Sequence, residues 1–458
     1  MPSLGSLLQI GKGALGAQQN AMNVIAHNIA NASTEGYSRQ RPVLEAATPL
    51  NTPQGVFGTG VSTQSVQRIR DDLLDGVYYR EAGTAAQHET RSEVMTRIEE
   101  MLGEPSNVGL AAAMDALYSS WSDLASNPAS PTTRTAVQQA GQLLSQKFHD
   151  IAANLDQIRQ EVDTRMVTAV DRVNALAADI AEINGRIVAT EAGGGTAGDL
   201  RDRRTKALIE LGQLMPIQVN ERGSGDIGVT TSGFSIIDGV YSTPVEIRTV
   251  AGTTGIAVVG RPVLLTENGG KIGGLLSVLN TDHPDVVNRI DQLASSIVSE
   301  VNAVHQTGTN AMGNTGVDFF DPTQTTAGSI QLSAAVSADS DEVAAGTPDG
   351  TGGYRAGAND VALAIGTLRD TTIVALGTTM NQHYQGVVSD VGQVVRSSTQ
   401  AAEVQRTLAE QADVRRMSYS GVSIDEELVK LIEFQTAYQA SARVVSAADE
   451  IIQSLLSI

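Results

Sequence analysis

The sequence predicts a mainly α protein: an elongated multidomain rod with antiparallel terminal coiled-coil helices and a small β-rich inserted domain. Three observations predict it. Of the 458 residues 41% are hydrophobic but only 3% aromatic, so Ala, Val, Leu and Ile must fill the core, as in helical bundles. An apolar stripe at three- and four-residue steps runs unbroken from Phe148 to Ile187, the spacing of a long helix that faces a partner. At Pro216 that spacing gives way to short alternating runs, the period of strands.

The first helix carries Leu7, Ile10, Ala14, Ala17, Ala21, Val24, Asn28 and Asn31 on one stripe. Asn28 to Gln40 is rich in Asn, Ser and Gly and stops it, with Gly36 free to take a backbone angle other residues resist. Residues 41–70 hold Pro42, Pro49 and Pro53 and read as extended loop or short strands. Helix resumes from about Asp71 to Leu102, breaks at Gly103–Asn107, and continues over Leu110–Leu124. The longest element spans about Thr132–Glu191. Its stripe contains two consecutive four-residue steps around Val162, which should locally unwind a supercoil. At 1.5 Å per residue it is on the order of 70 Å or more long, a rod rather than part of a compact enzyme. Gly193-Gly194-Gly195 ends it, and Asp199–Leu214 is a shorter helix.

From Pro216 to about Glu267 lie the β-type runs Ile217–Val219, Phe234–Ile237, Val245–Ile247 and Ile256–Val259, with Asp238-Gly239 as a hairpin turn. Helix returns at Asp285–His305. Residues 306–358 are rich in Gly, Thr, Asp and Ala and read as irregular. Helices then cover about Asn359–Met380 and His383–Ser418. The last helix repeats the seam of the first: Ile424, Leu428, Leu431, Gln435, Tyr438, Ala442, Val445, Asp449, Ile452 and Leu456. It adds a second apolar row, Phe434, Ala437, Val444, Ala448, Ile451 and Leu455. One row can meet the N-terminal helix; the second needs another surface. Ser423 with Glu426 three residues on has the form of a capping box.

Composition narrows the function. A net charge of −20 repels phosphates, so neither nucleic acid nor an anionic membrane is expected as a partner. The chain has no cysteine, which excludes disulfides, thiolate metal sites and cysteine nucleophiles. No apolar run approaches the ~20 residues of a membrane span, and the N-terminus lacks the form of a cleaved signal peptide, so export would need another route. The histidines at 27, 88, 149, 283, 305 and 383 stand singly, without zinc spacing. Asp339-Ser340-Asp341-Glu342 lacks the EF-hand pattern and reads as an exposed acidic loop. The triple glycine follows a helix rather than a strand and precedes no Gly-Lys-Ser/Thr; no serine sits in Gly-x-Ser-x-Gly. No catalytic, cofactor or metal site is expected. An intramolecular coiled coil, or a signalling coiled coil, remains the alternative on pattern alone.

The ends carry a resemblance. Leu15-Gly16-Ala17-Gln18-Gln19-Asn20-Ala21, Asn28-Ile29-Ala30-Asn31-Ala32 and Gly36-Tyr37-Ser38-Arg39-Gln40 at the start are joined by two segments at the end. These are Ser420-Gly421-Val422-Ser423-Ile424-Asp425-Glu426-Glu427 and Phe434-Gln435-Thr436-Ala437-Tyr438-Gln439-Ala440-Ser441-Ala442-Arg443-Val444. Together they resemble flagellar axial proteins, and among these the hook-associated family of the hook–filament junction. Looser similarity covers Gly270–Leu276, Gly313–Gly316 and Phe319-Phe320; Glu35 departs, because related chains often place proline before the Gly-Tyr pair. The middle is short for that family, which implies a reduced outer domain.

The resemblance implies a non-catalytic structural protein of the bacterial flagellum, exported unfolded through the flagellar type III pathway after a transient cytoplasmic stage. It implies as partners copies of itself in a ring, the hook protein, the second hook-associated junction protein and a cytoplasmic export chaperone. An assembly domain of residues 1–40 with 420–458 is then expected. Beside it stand a helical rod domain of 41–212 with 269–419 and a small β-rich domain of 213–268, with the irregular 306–358 as a candidate to pack on the latter. The expected assembly seam is Leu7, Ile10, Ala14, Ala21, Val24, Asn28, Asn31, Leu428, Leu431, Tyr438, Ala442, Val445 and Ile452. Gly36, Tyr37 and Gly421 would redirect the chain, and Phe434, Val444, Ile451 and Leu455 would offer a chaperone its apolar row.

Overall fold

The computed structural model describes residues 4–34, 36–52, 55–103, 108–193, 195–266 and 269–456, apart from the side chains of Leu4, Thr52, Leu455 and Leu456. Glu35, Gly194, Glu267 and most of the 103–107 break therefore lie outside the described residues. Helix α1 (Leu4–Ala30) leads through a turn into a two-stranded ribbon in two sections. Strand β1 (Gln40–Ala46) precedes the outer hairpin of β2 (Leu50–Thr52) and β3 (Gly55–Phe57), and β4 (Val61–Arg68) returns. β1 pairs antiparallel with β4 from Gln40 opposite Arg68 to Ala46 opposite Val61, with a register shift at Val43/Leu44.

Asp71 starts α2 (Asp72–Leu102): its carboxylate accepts from the Leu73 and Leu74 amides, satisfying groups a helix start leaves orphaned. α3 (Leu110–Ser126) leads to α4 (Pro131–Ala192), whose proline sits in the first turn, where a missing N–H costs nothing. At 62 residues α4 is about 90 Å long, and it passes through the Val162 stutter without a break. Phe148, Leu155, Val162, Met166, Val173, Ile180 and Ile187 are all buried along one side, so the stripe read from the sequence is the rod's core. α5 (Gly198–Leu214) packs back on α4.

The β-rich insert comprises β5 (Gln218–Glu221), β6 (Ile227–Thr231), β7 (Phe234–Asp238), β8 (Tyr241–Ser242), β9 (Val245–Val250) and β10 (Thr253–Val258). The first four form one antiparallel sheet in sequential order with β5 at its edge; β9 and β10 form a hairpin. Asp238-Gly239 makes the turn between β7 and β8, with Gly239 at φ +61°, a left-handed angle glycine adopts without strain. Asparagines fasten the insert to the helices. Asn174 on α4 donates to Val245 O (2.9 Å) and accepts from Val245 N (2.8 Å), so its amide replaces a neighbouring strand. Asn280 grips Thr254 in the same way, at 2.8 and 2.9 Å.

α6 (Gly270–Ser277) continues through a π-helical turn, Val278–Asp282, into α7 (His283–His305). The following segment includes α8 (Ala334–Ala338) and a 3₁₀ turn, Ser340–Glu342; then come α9 (Asp360–Thr367), α10 (Met380–Ser420) and α11 (Ile424–Leu456). α10 lies antiparallel to α2: Tyr384 donates to Leu102 O at one end, and the Arg416 guanidinium stacks 4.8 Å from the Tyr78 ring at the other.

Two expectations need correction. The helix over Asn359–Met380 ends at Thr367, and after a 3₁₀ turn the chain is irregular to Thr379. The β-branched Thr371-Thr372-Ile373 run disfavours helix; Thr379 and Gln382 then form a capping box that restarts it at Met380 rather than His383. Residues 306–358 do not lie on the β-rich insert. They cover the first half of α4, where Gln138 donates to Val336 O and Gly141 leaves room for Phe319 and Leu332. His305, Trp121, Phe319 and Phe320 pack edge to face there, so what reads as loop closes the aromatic end of the core.

Candidate assembly surface

The first and last helices meet antiparallel, with Gly11 beside Val445 and Asn28 beside Glu427. A side chain at Gly11 would collide with Val445, so glycine permits this close approach. On α1, Ala17, Ala21, Val24 and Asn28 are buried, while Leu7, Ile10, Ala14 and Asn31 are half-buried. α1 also packs on the ribbon: Gly60 sits over the backbone of Ile10.

On α11 the expected row is displaced by one position. Leu431, Tyr438, Ala442, Val445 and Ile452 are half-buried, but Leu428, Gln435 and Asp449 are exposed. One position earlier, Glu427 and Ala448 are fully buried and Phe434 is half-buried. Val444 and Ile451 are exposed, and the side chain of Leu455 lies outside the described residues. Phe434, expected on the chaperone row, is half-buried.

A polar knot explains the displacement. Glu427 accepts from Arg39 Nε (2.8 Å) and Asn28 Nδ2 (2.8 Å), and the Lys430 ammonium lies 3.6 Å away. Asn28 also donates to Gln40 O (2.8 Å), while its Oδ1 accepts from Gln40 N (3.0 Å) and Tyr37 Oη (2.8 Å). With that phenol proton committed, His27 Nδ1 donates to Tyr37 Oη at 2.9 Å. A buried carboxylate is tolerated only with such partners, and they draw Glu427 rather than Leu428 into the seam. Glu426 reaches Arg39 (3.0 Å), and the hydroxyl of Ser423 stands 3.5 Å from the Glu426 amide. The side-chain half of the expected capping box is thus spent on Arg39.

The redirecting residues act in different ways. Gly36 has φ +82°, an angle glycine alone adopts freely. Tyr37 is buried, and burial, followed by the charges of Asp202 and Asp199, pushes its phenol well above its usual range. Gly421 is in ordinary extended backbone; its need is steric, because a side chain there would strike Met417 O.

Beyond the knot the connecting strands are tied to the body. Arg39 N donates to Ser420 O (2.8 Å) and Ser38 N to Asp202 (3.2 Å). Arg68 binds Asp202 (2.7 Å), and Arg70 pairs with Asp75 while reaching Ser38 Oγ (3.1 Å). Burial, then the charge of Arg70, holds the Arg68 guanidinium below its ordinary pKa. Every charge here is matched to hold geometry. Arg39 and Glu427 were not among the expected site residues, although both stand in the terminal motifs; their charge was the available signal. Among the described residues no cluster of three metal-binding side chains occurs. Asp339 caps the turn that follows it, accepting from Asp341 N (2.9 Å).

Comparison with known proteins places these ends. Residues 95–320 match the family model of the flagellar hook-associated protein FlgK helical domain. Residues 8–37 match that of the flagella basal body rod protein, and 415–458 that of the flagellar basal body rod FlgEFG protein C-terminal. Flagellar hook-associated protein 1 of Bacillus subtilis is 27% identical over 496 residues, covering 98% of this chain and 97% of its own. The chain belongs to the flagellar hook-associated protein 1 family. Membership makes it a structural protein of the bacterial flagellum, associated with other axial proteins.

The hook-associated protein 1 of Salmonella typhimurium is 24% identical over 555 residues, covering 99% of this chain and all of that one. That alignment is longer than this 458-residue hook-associated chain, so the relative has segments without a counterpart here. The flagellar hook junction protein FlgK from Burkholderia pseudomallei shares the fold, with a TM-score of 0.66 at 15% identity over 75% of this chain and 100% of its own. In this family member the two rod-type matches fall on α1 with its turn and on α11. Those are the two elements that the knot joins.

Proposed function

We propose that this protein is a non-catalytic adaptor forming a ring between flagellar hook and filament, one tube that bends and one that is stiff. The observation that carries the reading is the paired terminal helices. α11 gives one face to α1 and leaves Leu428, Val429, Ile432, Val444 and Ile451 exposed on the others, a surface suited to neighbouring axial subunits. On this reading residues 1–40 with 420–458 are the assembly module, with the ribbon packed beside it. Residues 41–212 with 269–419 are the rod, and 213–268 the outer β-rich domain. The partners are further copies, the hook protein and the second junction protein.

The reading includes export in an unfolded state by the flagellar type III route, with a chaperone covering the last helix beforehand. Val444 and Ile451 suit that role in the folded chain, where Phe434 is half-buried. Replacing Leu431 and Val445 by aspartate tests the seam, because unpaired carboxylates in a close contact cost several kcal/mol, on the order of 2–7. The rod should stay folded while hooks go uncapped and flagellin is lost to the medium. Filaments built by that variant would refute the seam; filaments in a strain lacking the gene would refute the function.

A further inference from the structure

A groove of ≈ 780 Å³ lies between the start of α2, α5 and the edge strand β5, and the chain itself leaves it open. Leu73 and Val77 stand on its α2 rim, 82% and 38% exposed, which is unusual for apolar residues on a helix that is otherwise packed. Pro216, Ile217 and Val219 form the opposite wall. β5 pairs with β6 on one side only, so its other edge can accept a further strand. Most charges lining the groove are paired: Arg68 with Asp202, Arg70 with Asp75, Arg80 with Glu81 and Arg204 with Glu221, with Asp72 the exception among the described residues. Such a groove suits an extended, uncharged and partly apolar segment.

The chain carries one. Residues 46–67 contain no charged side chain, in a protein of net charge −20. Those of them that the structure describes form the outer ribbon, where β2 and β3 pair with each other, and Leu50 and Val56 are 55% and 67% exposed. A lone two-stranded hairpin is marginal in water and gains from a third strand. The ribbon's root, Gln40, Val66, Gln67 and Arg68, lines a smaller hollow that shares Arg68, Arg70 and Glu221 with the groove. Ribbon and groove are different surfaces of one subunit, so a contact between them on two copies is heterologous, the type that can close a ring.

We infer that the outer ribbon of one copy docks in the α2–β5 groove of the next, laying an added strand along β5 with its apolar side chains against Leu73 and Val77. The inference deepens the proposed ring and rests on that reading. Because the chain has no cysteine, engineered thiols report without background. Full-length protein carrying both Leu50→Cys and Leu73→Cys is treated with a short bis-maleimide, in concentrated solution and in isolated flagella. A ladder of covalent multimers is expected, with at most dimers from either single variant.

Adding Val56→Asp, at an exposed site, should cut the ladder about tenfold, because an unpaired carboxylate in that contact costs more than the free energy of one decade. Trp121 emission, from a fully buried ring in the rod, should not change. Cross-linked monomer alone would mean that the ribbon reaches its own groove, and no product in either preparation would mean no contact; both overturn the inference. A ladder in solution from a protein missing at the hook–filament junction would leave the docking standing and remove the ring reading instead.

Discussion

The rod and the terminal module are both helical, yet they are held by different forces. In the rod, Phe148, Leu144, Ile180, Trp121 and Leu293 are completely buried in one apolar cluster that follows α4 from Val137 to Ala181. In the terminal module, among the described residues of α11 only Glu427 and Ala448 are fully buried, and the rest of its seam row is half-buried or exposed. Apolar burial stabilises in proportion to area, so the rod is thick and cooperative. The module depends instead on a few directional bonds at one end of a thin contact. Such a unit can open without unfolding the body, which is what an assembly element requires.

The largest expected effect tests the rod side. Phe148→Ala leaves a cavity among well-packed neighbours and should cost about 4 kcal/mol of global stability. Urea unfolding followed by Trp121 emission measures it. A loss under about 1 kcal/mol would show that α4 is not the cooperative core.

That core was legible because its signal is a local repeat: each buried residue of α4 lies three or four positions from the next. The knot was not, because its partners lie far apart in sequence. Asn28 and Glu427 are separated by 399 positions, Arg39 and Glu427 by 388. Glu427 also disguised itself. An acidic residue beside Asp425 and Glu426 reads as solvent-facing, so the apolar Leu428 was placed in the seam one position away. The asparagines carry no local signal either. Asn28, Asn174, Asn280 and Asn302 each bond both a backbone N–H and a C=O of another segment.

The second effect sets a pH limit on the rod. His305 is fully buried, bonded to Val317 O (2.7 Å) and accepting from Ala344 N (2.9 Å), a pattern that needs the neutral ring. Burial pushes its pKa down to about 4 from the ordinary 6.5. Between those values the unfolded chain binds a proton that the fold refuses. The contribution is therefore full above pH 6.5 and is lost as pH falls towards 4, by about 3 kcal/mol in all. Thermal unfolding across this range, compared with His305→Gln, should show a steeper acid decline in the natural chain. Equal slopes would refute the buried neutral histidine.

Next comes the module. Glu427→Ala removes the shared acceptor of Arg39 and Asn28, and breaking a buried pair costs about 3–5 kcal/mol; partial exposure of Arg39 reduces this to about 2. The cost should fall on docking alone. Hydrogen exchange should speed up over 424–452 and at 17–28 while α4 stays as protected as before. Faster exchange in α4 would mean that the two regions unfold together, and the contrast between them would fail.

The smallest effect separates the knot's two cations. Lys430 approaches Glu427 at 3.6 Å with its side chain 39% exposed, whereas Arg39 binds at 2.8 Å through a side chain 15% exposed. An exposed lysine gains little from a nearby charge, since water screens the pair and ordering the long side chain offsets the attraction. Lys430→Met should therefore change docking by less than about 0.5 kcal/mol, whereas Arg39→Met should come close to the loss expected for Glu427→Ala. Exchange rates over 424–452, compared at low and high salt, decide between them. If Lys430→Met opened the helix as much as Arg39→Met, general charge attraction would hold the module. The directed bonds that place Glu427 in the seam would then have no special part in it.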